Sequence, residues 1–286
     1  MIVYMFECKK GTFEGKSEQN TVDELKEWCL TQFANELRER PSLHKYVKTL
    51  PPSIIFKIDK LRNSVVIKNK ICAQFGGKCN IIPLDEIDEL YISHVNKDKG
   101  GDQGLFDKHY DGTLRFVKGS TVVRALIYLS SSGKLKVVFS DCGATHSFKT
   151  YEFGLLDFHR EYHWVEGEYD ANDIPRILLK CNYMVCEGCS KMYMNMVRAI
   201  NVIIFFIVKY SMEYSKSPKT PLQRVIGFFC NFFRKINNIS PILSMFVGVL
   251  LVILILCLFV MTGRAILNLF QGIFTKRTRR SIIKRR

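Results

Sequence analysis

Acidic residues all but vanish from the last third of this 286-residue chain. Residues 191–286 carry 16 Lys and Arg and one acid, Glu213, whereas residues 1–190 carry 26 of each sign. The net charge of +15 therefore sits entirely in the C-terminal third. This excludes a strongly basic groove on the N-terminal part, the kind of surface that grips a nucleic-acid backbone. It points instead to a tail held against anionic lipid headgroups. Nucleic acid remains possible as a partner for Lys276 to Arg286, where seven of eleven residues are basic. Charge of either sign is missing from Ile236 to Gly263. The centre of that stretch, Ile242 to Thr262, is 21 residues of mostly Leu, Val, Ile and Phe. A membrane span needs about 20 such residues to cross about 30 Å of hydrocarbon. A second CxxC pair is also missing. Cys186 and Cys189 stand without the partner pair a structural zinc site usually needs, so incidental thiols are expected, with a redox pair, a disulfide or zinc left open. Cys8, Cys29, Cys72, Cys79 and Cys142 follow no framework spacing. Finally, Met1 to Cys8 lacks the long apolar core of a secretion signal.

What is present divides the chain into five parts. Residues 1–90 and 91–190 are read as the two halves of one folded domain. Residues 191–240 are basic, aromatic and membrane-proximal, 241–263 a transmembrane helix, and 264–286 an interfacial helix (Ala265 to Phe274) with a basic tail. Ala199 to Val208 is apolar but too short to span, so an interfacial or re-entrant helix is expected. Ser211 to Pro221 reads as a linker, and Arg224 to Asn237 suits a headgroup layer. The basic tail prefers the cytosolic side. A membrane hairpin or a C-terminal tail anchor would keep the folded domain cytosolic too, the placement expected in the absence of a leader.

Thr21 to Arg40 has apolar residues at helical spacing behind a Thr-Val-Asp-Glu start that resembles a cap, with Pro41 ending it. Ser53 to Ile58 and Ser64 to Ile67 are rich in β-branched residues and predict a hairpin. Asp85 to Leu90 predicts a short helix, and Gly100, Gly101 and Gly104 a flexible loop. Thr113 to Phe116, Thr121 to Leu129, Leu135 to Phe139, Thr150 to Phe158 and Arg176 to Val185 then read as strands between Gly/Ser/Asp turns. Many short strands predict a jelly roll, and helix before strands gives an α+β fold. The predicted class is thus α+β: a double-stranded β-helix with an N-terminal helix and hairpin, followed by a C-terminal transmembrane helix.

The chemistry starts at His109-Tyr110-Asp111. In a strand, residues two apart share a face, so this imidazole and carboxylate can meet one metal ion. Two histidines and one carboxylate make the facial triad of non-haem iron(II) sites, and His159 and His163 lie some fifty residues on.

In order, His109-Tyr110-Asp111-Gly112, LIYLSSSGKLKVVF (Leu126 to Phe139), FGLLDFHREYHWVEG and Arg176-Ile177-Leu178-Leu179 resemble the prolyl-4-hydroxylase-like branch of the 2-oxoglutarate/Fe(II)-dependent dioxygenase superfamily. The resemblance covers about residues 90–185. It implies that His109, Asp111 and His163 hold Fe(II). His163 is preferred to His159 because Glu166-Gly167 follows it and Arg176 lies thirteen residues on. It implies that Arg176 pairs bidentately with the far carboxylate of 2-oxoglutarate, with Tyr128 adding a hydroxyl. The implied activity is hydroxylation of a C–H bond, of a protein residue, with release of succinate and carbon dioxide and with ascorbate as an accessory reductant. The turn after Leu129 departs from the family's acidic pattern, which bears on the substrate groove more than on the ligands. Two alternatives stay open: a nucleic-acid demethylase of the AlkB-like kind, and a non-catalytic membrane-tethered jelly-roll protein. The neutral residues 1–190 and Lys180, where a second Arg would stand, weigh against the demethylase.

Overall fold

The computed structural model describes residues 6–77, 79–94, 103–112, 121–169, 174–216, 218 and 220–239. The chain divides into two compact units, Met1–Phe206 and Ile207–Arg286. In chain order the elements are β1 (Lys9–Thr12), α1 (Lys16–Gln32), α2 (Ala34–Glu39), β2 (Ser42–Tyr46), α3 (Pro52–Arg62), α4 (Val65–Cys72), β3 (Asn80–Pro83), β4 (Glu89–Ser93), α5 (Gln103–Phe106), β5 (Thr121–Ser130), β6 (Ser132–Phe139), β7 (Ala144–Lys149), β8 (Glu152–Asp157), β9 (His163–Glu166), β10 (Arg176–Cys186), α6 (Lys191–Lys216) and α7 (Pro221–Ile239).

Helix and antiparallel sheet are mixed. Among the described residues a major sheet runs in the order β1-β8-β5-β10-β4-β2, with β3 also paired to β10, and a minor sheet runs β7-β6-β9. The long strands β5 and β10 form its middle, in register from Leu178↔Tyr128 to Val185↔Thr121. Their side chains alternate in fate, as the two-residue period of a strand requires. Val123, Ala125, Ile127, Ile177, Leu179 and Tyr183 face one way and pack with α1, α3 and α4 through Leu25, Ile58 and Ile67. The intervening residues face the minor sheet, where Tyr128, Leu126 and Leu178 meet Leu135, Val137 and Phe139.

The predicted hairpin over residues 53–67 is instead α3 and α4. Ile54, Ile58 and Leu61 recur at helical spacing and are buried, while Phe56 between them is 63% exposed. That period outweighs β-branched composition, with Pro52 opening α3 and the Ser64 hydroxyl accepting from Val66 N–H at the start of α4. The predicted helix over 21–40 begins earlier, at Lys16. Thr21 lies inside it with its hydroxyl donating to the Ser17 carbonyl, so it is no cap. Asp85–Ile87 makes one 3-10 turn, and β4 follows from Glu89. Thr121 to Leu129, Leu135 to Phe139 and Arg176 to Val185 fall within β5, β6 and β10. β1 to β4, β7 and β9 are strands that the pattern did not single out.

Thr113 to Phe116, Gly100 and Gly101 lie outside the described residues, as do Ile242 to Thr262 and Ala265 to Phe274. Among the described residues no helix is long and apolar enough to cross a membrane. Ala199 to Val208 lies within α6. The expected linker is shorter than Ser211 to Pro221, because α6 continues to Lys216 and Pro221 opens α7.

The cysteines are not incidental. Cys8 pairs with Cys142, Cys72 with Cys79, and Cys186 with Cys189, while Cys29 and Cys181 are free and buried.

Candidate metal centre

Backbone pairing brings the ends of the candidate motif together. His109 and His163 exchange both main-chain hydrogen bonds, 3.1 and 3.0 Å, in an isolated antiparallel bridge. Their rings lie 4.5 Å apart. Each ring turns Nδ1 to a main-chain carbonyl: His109 to Asp107 at 2.8 Å, His163 to Glu161 at 3.2 Å. A proton on each Nδ1 donates to that carbonyl and leaves the Nε2 lone pair free for a metal. Asp111 completes the group. Its Oδ1 is 3.7 Å from His109 Nε2 and its Oδ2 3.5 Å from His163 Nε2. One donor atom from each of the three residues lies within 4.8 Å of the others, close enough to hold a metal ion.

Gly112 is what lets Asp111 sit so deep. Its N–H donates to the Phe158 carbonyl at 2.8 Å, and a Cβ there would land 2.1 Å from His159 Nδ1 and 2.5 Å from the Phe158 ring. His159 itself is not in the donor cluster. Its Nε2 bonds Asn201 of α6 at 2.7 Å.

The electrostatics suit a cation. Burial by itself would raise the Asp111 pKa, but Arg124, His163 and Lys180 reverse this and hold it well below the usual carboxylate range. Burial pushes His163 down to about 4, so near neutral pH its imidazole is neutral, the form that binds metal. Burial pushes neighbouring Glu161 up to about 7.

Arg176 opens β10 on the face turned to the minor sheet and is 3% exposed. Its Nη2 donates to the Tyr128 hydroxyl at 3.1 Å, and its guanidinium carbon lies 5.1 Å from the centre of that ring. Tyr128 stacks on Phe148 at 4.6 Å and its own pKa is raised by burial. Arg176 Nη1 is buried with no acceptor among the described residues. A buried guanidinium with an unused donor is costly unless an anion completes it. His146 Nε2 of β7 is likewise buried without a partner among the described residues.

No protein-family model matches the chain, and no curated protein does. Solved structures that resemble it in fold are 2-oxoglutarate/Fe(II) oxygenases. One is a viral collagen prolyl hydroxylase from Paramecium Bursaria Chlorella virus-1 in its 2-oxoglutarate complex, at TM-score 0.39 and 11% identity, covering 64% of this chain and 97% of that one. A Pseudomonas putida prolyl-4-hydroxylase gives 0.38 and 12%, covering 62% and 91%. A prolyl hydroxylase from Trichoplax adhaerens, in complex with a hypoxia-inducible-factor peptide fragment, gives 0.39 and 14%, covering 62% and 82%. At such scores the likeness is loose, and the chemistry of this chain rests on its own side chains.

Those side chains separate into residues the motif pointed to and residues it did not. His109, Asp111 and His163 come together, and Arg176 and Tyr128 form a second group. Arg124, buried beside Asp111 at 2.8 Å, carried no motif, and neither did Lys180, which lies 3.0 Å from Glu89 and 4.8 Å from the Tyr91 ring centre. The two-residue period was the available signal. Arg124 and Tyr128 are four apart on one strand, and Arg176 and Lys180 four apart on another, so each pair shares the inward face.

Proposed function

We propose that the first unit is an Fe(II)- and 2-oxoglutarate-dependent dioxygenase with a double-stranded β-helix core, hydroxylating a C–H bond of a protein substrate. The observation that carries this is the presence of two incomplete groups within one compact unit. His109, Asp111 and His163 supply two neutral nitrogens and one carboxylate, a donor set suited to Fe(II) that leaves coordination positions open. Arg176 supplies a buried donor with no acceptor among the described residues, beside a Tyr hydroxyl. A dianionic keto acid would suit both, since Arg176 could pair with a carboxylate and the triad could hold the metal that chelates the other end. Iron(II) with 2-oxoglutarate, when bound, supplies the oxidation of the C–H bond, with succinate and carbon dioxide as co-products. The chain's part is to hold the two histidines in one tautomer, keep Asp111 ionised, and pack Phe139, of an apolar cluster with Leu126 and Phe148, against the His163 ring.

Two features support a peptide substrate over nucleic acid. Residues 1–190 are electrically neutral. Next to the ligands, the rings of Tyr110 and Tyr162 lie 4.7 Å apart and Lys108 covers Trp164 at 4.4 Å, an aromatic surface suited to an extended chain.

The second part of the proposal is attachment to a membrane. The run Ile242 to Thr262 supports it, as do outward apolar stripes on α6 (Met192, Met196, Ile200, Ile203) and α7 (Leu222, Val225, Phe228, Phe232). The three disulfides support placing the first unit in an oxidising compartment, across the membrane from the basic tail. This differs from the cytosolic placement expected from the sequence. Mass spectrometry after blocking free thiols in cells checks it: six blocked cysteines in place of three bridges would return the unit to the cytosol.

The deciding experiment is anaerobic addition of Fe(II) and then 2-oxoglutarate to the full chain in lipid nanodiscs. The expected result is a weak visible charge-transfer band that needs both additions. A folded, iron-loaded protein without that band would remove the dioxygenase reading.

A further inference from the structure

We propose that Arg124 is a positioning residue that reserves one oxygen of Asp111, so that this carboxylate offers a metal a single atom. The inference rests on the metal reading above and extends it to a residue outside the ligand set.

Arg124 stands on β5, on the same inward face as Tyr128, and is 3% exposed. Its Nη1 lies 2.8 Å from Asp111 Oδ2, an oxygen that is also 3.5 Å from His163 Nε2, while Oδ1 is 3.7 Å from His109 Nε2; both oxygens face the histidines, and Arg124 engages one of them. The guanidinium is fixed from other directions as well. Its Nε donates to Asn182 Oδ1 at 2.9 Å, and its central carbon lies 4.4 Å from the Phe158 ring centre. Asn182 is fully buried and held in turn. Its Nδ2 donates to Asp88 at 3.1 Å, its main-chain N–H donates to the same carboxylate at 2.8 Å, and Arg62 Nε donates to Asp88 Oδ2 at 2.7 Å. A planar guanidinium locked this way cannot swing off to release Oδ2.

The consequence is a coordination count. An octahedral metal held by two imidazoles and one carboxylate oxygen keeps three open positions. A chelating keto acid would need two of them, and the third would be left for oxygen. If Asp111 closed on the metal with both oxygens, one of those positions would be lost. The charge-assisted bond from Arg124 opposes that closure, since using Oδ2 as a ligand would leave a buried cation without its partner.

The test uses the full chain with aspartate carboxylates labelled with carbon-13, loaded anaerobically with Co(II) alone and then with 2-oxoglutarate. Difference infrared spectroscopy reads the gap between the two carboxylate stretches, wide for one-oxygen and narrow for two-oxygen ligation. Wild type is expected to show the wide gap. Arg124→Met is expected to show the narrow gap, with 2-oxoglutarate affinity of the cobalt-loaded protein lowered by about 10- to 100-fold, the range typical of losing an orienting partner. Arg124→Lys keeps the charge but not the fork and should fall between. If thermal melts show that Arg124→Met does not fold, Asn182→Ala, which frees the Nε anchor, is expected to shift the gap in the same direction by less. A wide gap with unchanged 2-oxoglutarate affinity in the variants would overturn the proposal. So would tighter binding of both metal and 2-oxoglutarate in Arg124→Met, which would make Arg124 a plug. Failure of wild type to bind Co(II) would sink the metal reading and this inference together. Binding of Co(II) without a response to 2-oxoglutarate would sink only the co-substrate, and the infrared gap would still decide Arg124.

Discussion

The two faces of the major sheet are built from the same strands and differ in almost everything else. On β5 and β10 one face carries Val123, Ala125, Ile127, Ile177, Leu179 and Cys181, packed against helices. The other carries Arg124, Tyr128, Arg176, Lys180 and Asn182 among Leu126 and Leu178. The first face holds the fold together through burial of apolar area. The second accepts buried charge and unsatisfied donors, which are tolerable only where neighbours or a ligand complete them. Substitutions on the first face should cost stability and spare binding, whereas those on the second should do the reverse.

The sharpest break is at the ligands. His163→Ala and His109→Ala should each abolish the charge-transfer band and lower metal affinity by more than about 100-fold, beyond the usual cost of losing an outer partner. His159→Ala should keep the band, because His159 bonds Asn201 and lies outside the donor cluster. Equal loss in all three variants would mean that the region tolerates no change at all, and the division of faces would fail. Arg176→Met comes next. It should leave Co(II) binding intact and weaken 2-oxoglutarate by about 10- to 100-fold, consistent with a loss of about 1.4–2.8 kcal/mol when each tenfold is about 1.4 kcal/mol. Isothermal titration of the metal-loaded protein measures this.

The helix-facing side is tested by Ile127→Ala and Phe153→Ala, both at fully buried positions. Truncations of this kind cost about 2–5 kcal/mol. Urea unfolding should show that loss while metal affinity per folded molecule stays within about threefold, the scatter of additivity for separate sites. A Phe153→Ala variant that folds normally but loses metal would show the two faces to be coupled.

This division also explains what could be read from the sequence. Strands β5 and β10 were legible because they are long and bounded by turns. His109, Asp111, His163, Arg176 and Tyr128 were legible because their order matched a known pattern. Arg124 was not, because a single arginine within TVVRALIYL matches no motif, and its importance comes from Asp111 and from Asn182, 58 residues away. The helices α3 and α4 were misread for a local reason. Ile54, Ile55, Ile58, Val65 and Val66 are β-branched, yet the tertiary core selected the helical period. The short edge strand β1 pairs with β8 across some 140 residues, a contact no local pattern can announce. The Cys8–Cys142 disulfide was hidden likewise, since the two meet only once β1 is placed, whereas Cys186–Cys189 stood open in the sequence as a CxxC pair.

The smallest expected effect concerns pH, and here the polar face opposes itself. Burial lowers His159 and His163 to about 4 from an ordinary value of about 6.5. Burial raises Glu161 to about 7 and Asp88 to about 6. For the histidines the unfolded chain binds protons more readily, so their contribution is present above about pH 6.5 and is lost as pH falls toward 4. For the two acids the folded chain binds protons more readily, so theirs is present below about pH 4 and is lost as pH rises to about 6–7. In the metal-free protein the two pairs act in one window with opposite sign, and wild-type stability should vary little across it. Single variants should uncover each slope. Relative to wild type, His159→Gln should gain stability as pH falls from 6.5 to 4, and Glu161→Gln should gain as pH rises from 4.5 to 7. Urea midpoints at closely spaced pH values would show this. Parallel profiles for wild type and both variants would mean that His159 and Glu161 titrate as they do in the unfolded chain. The polar face would then be open to water, and the contrast between the two faces would be one of composition alone.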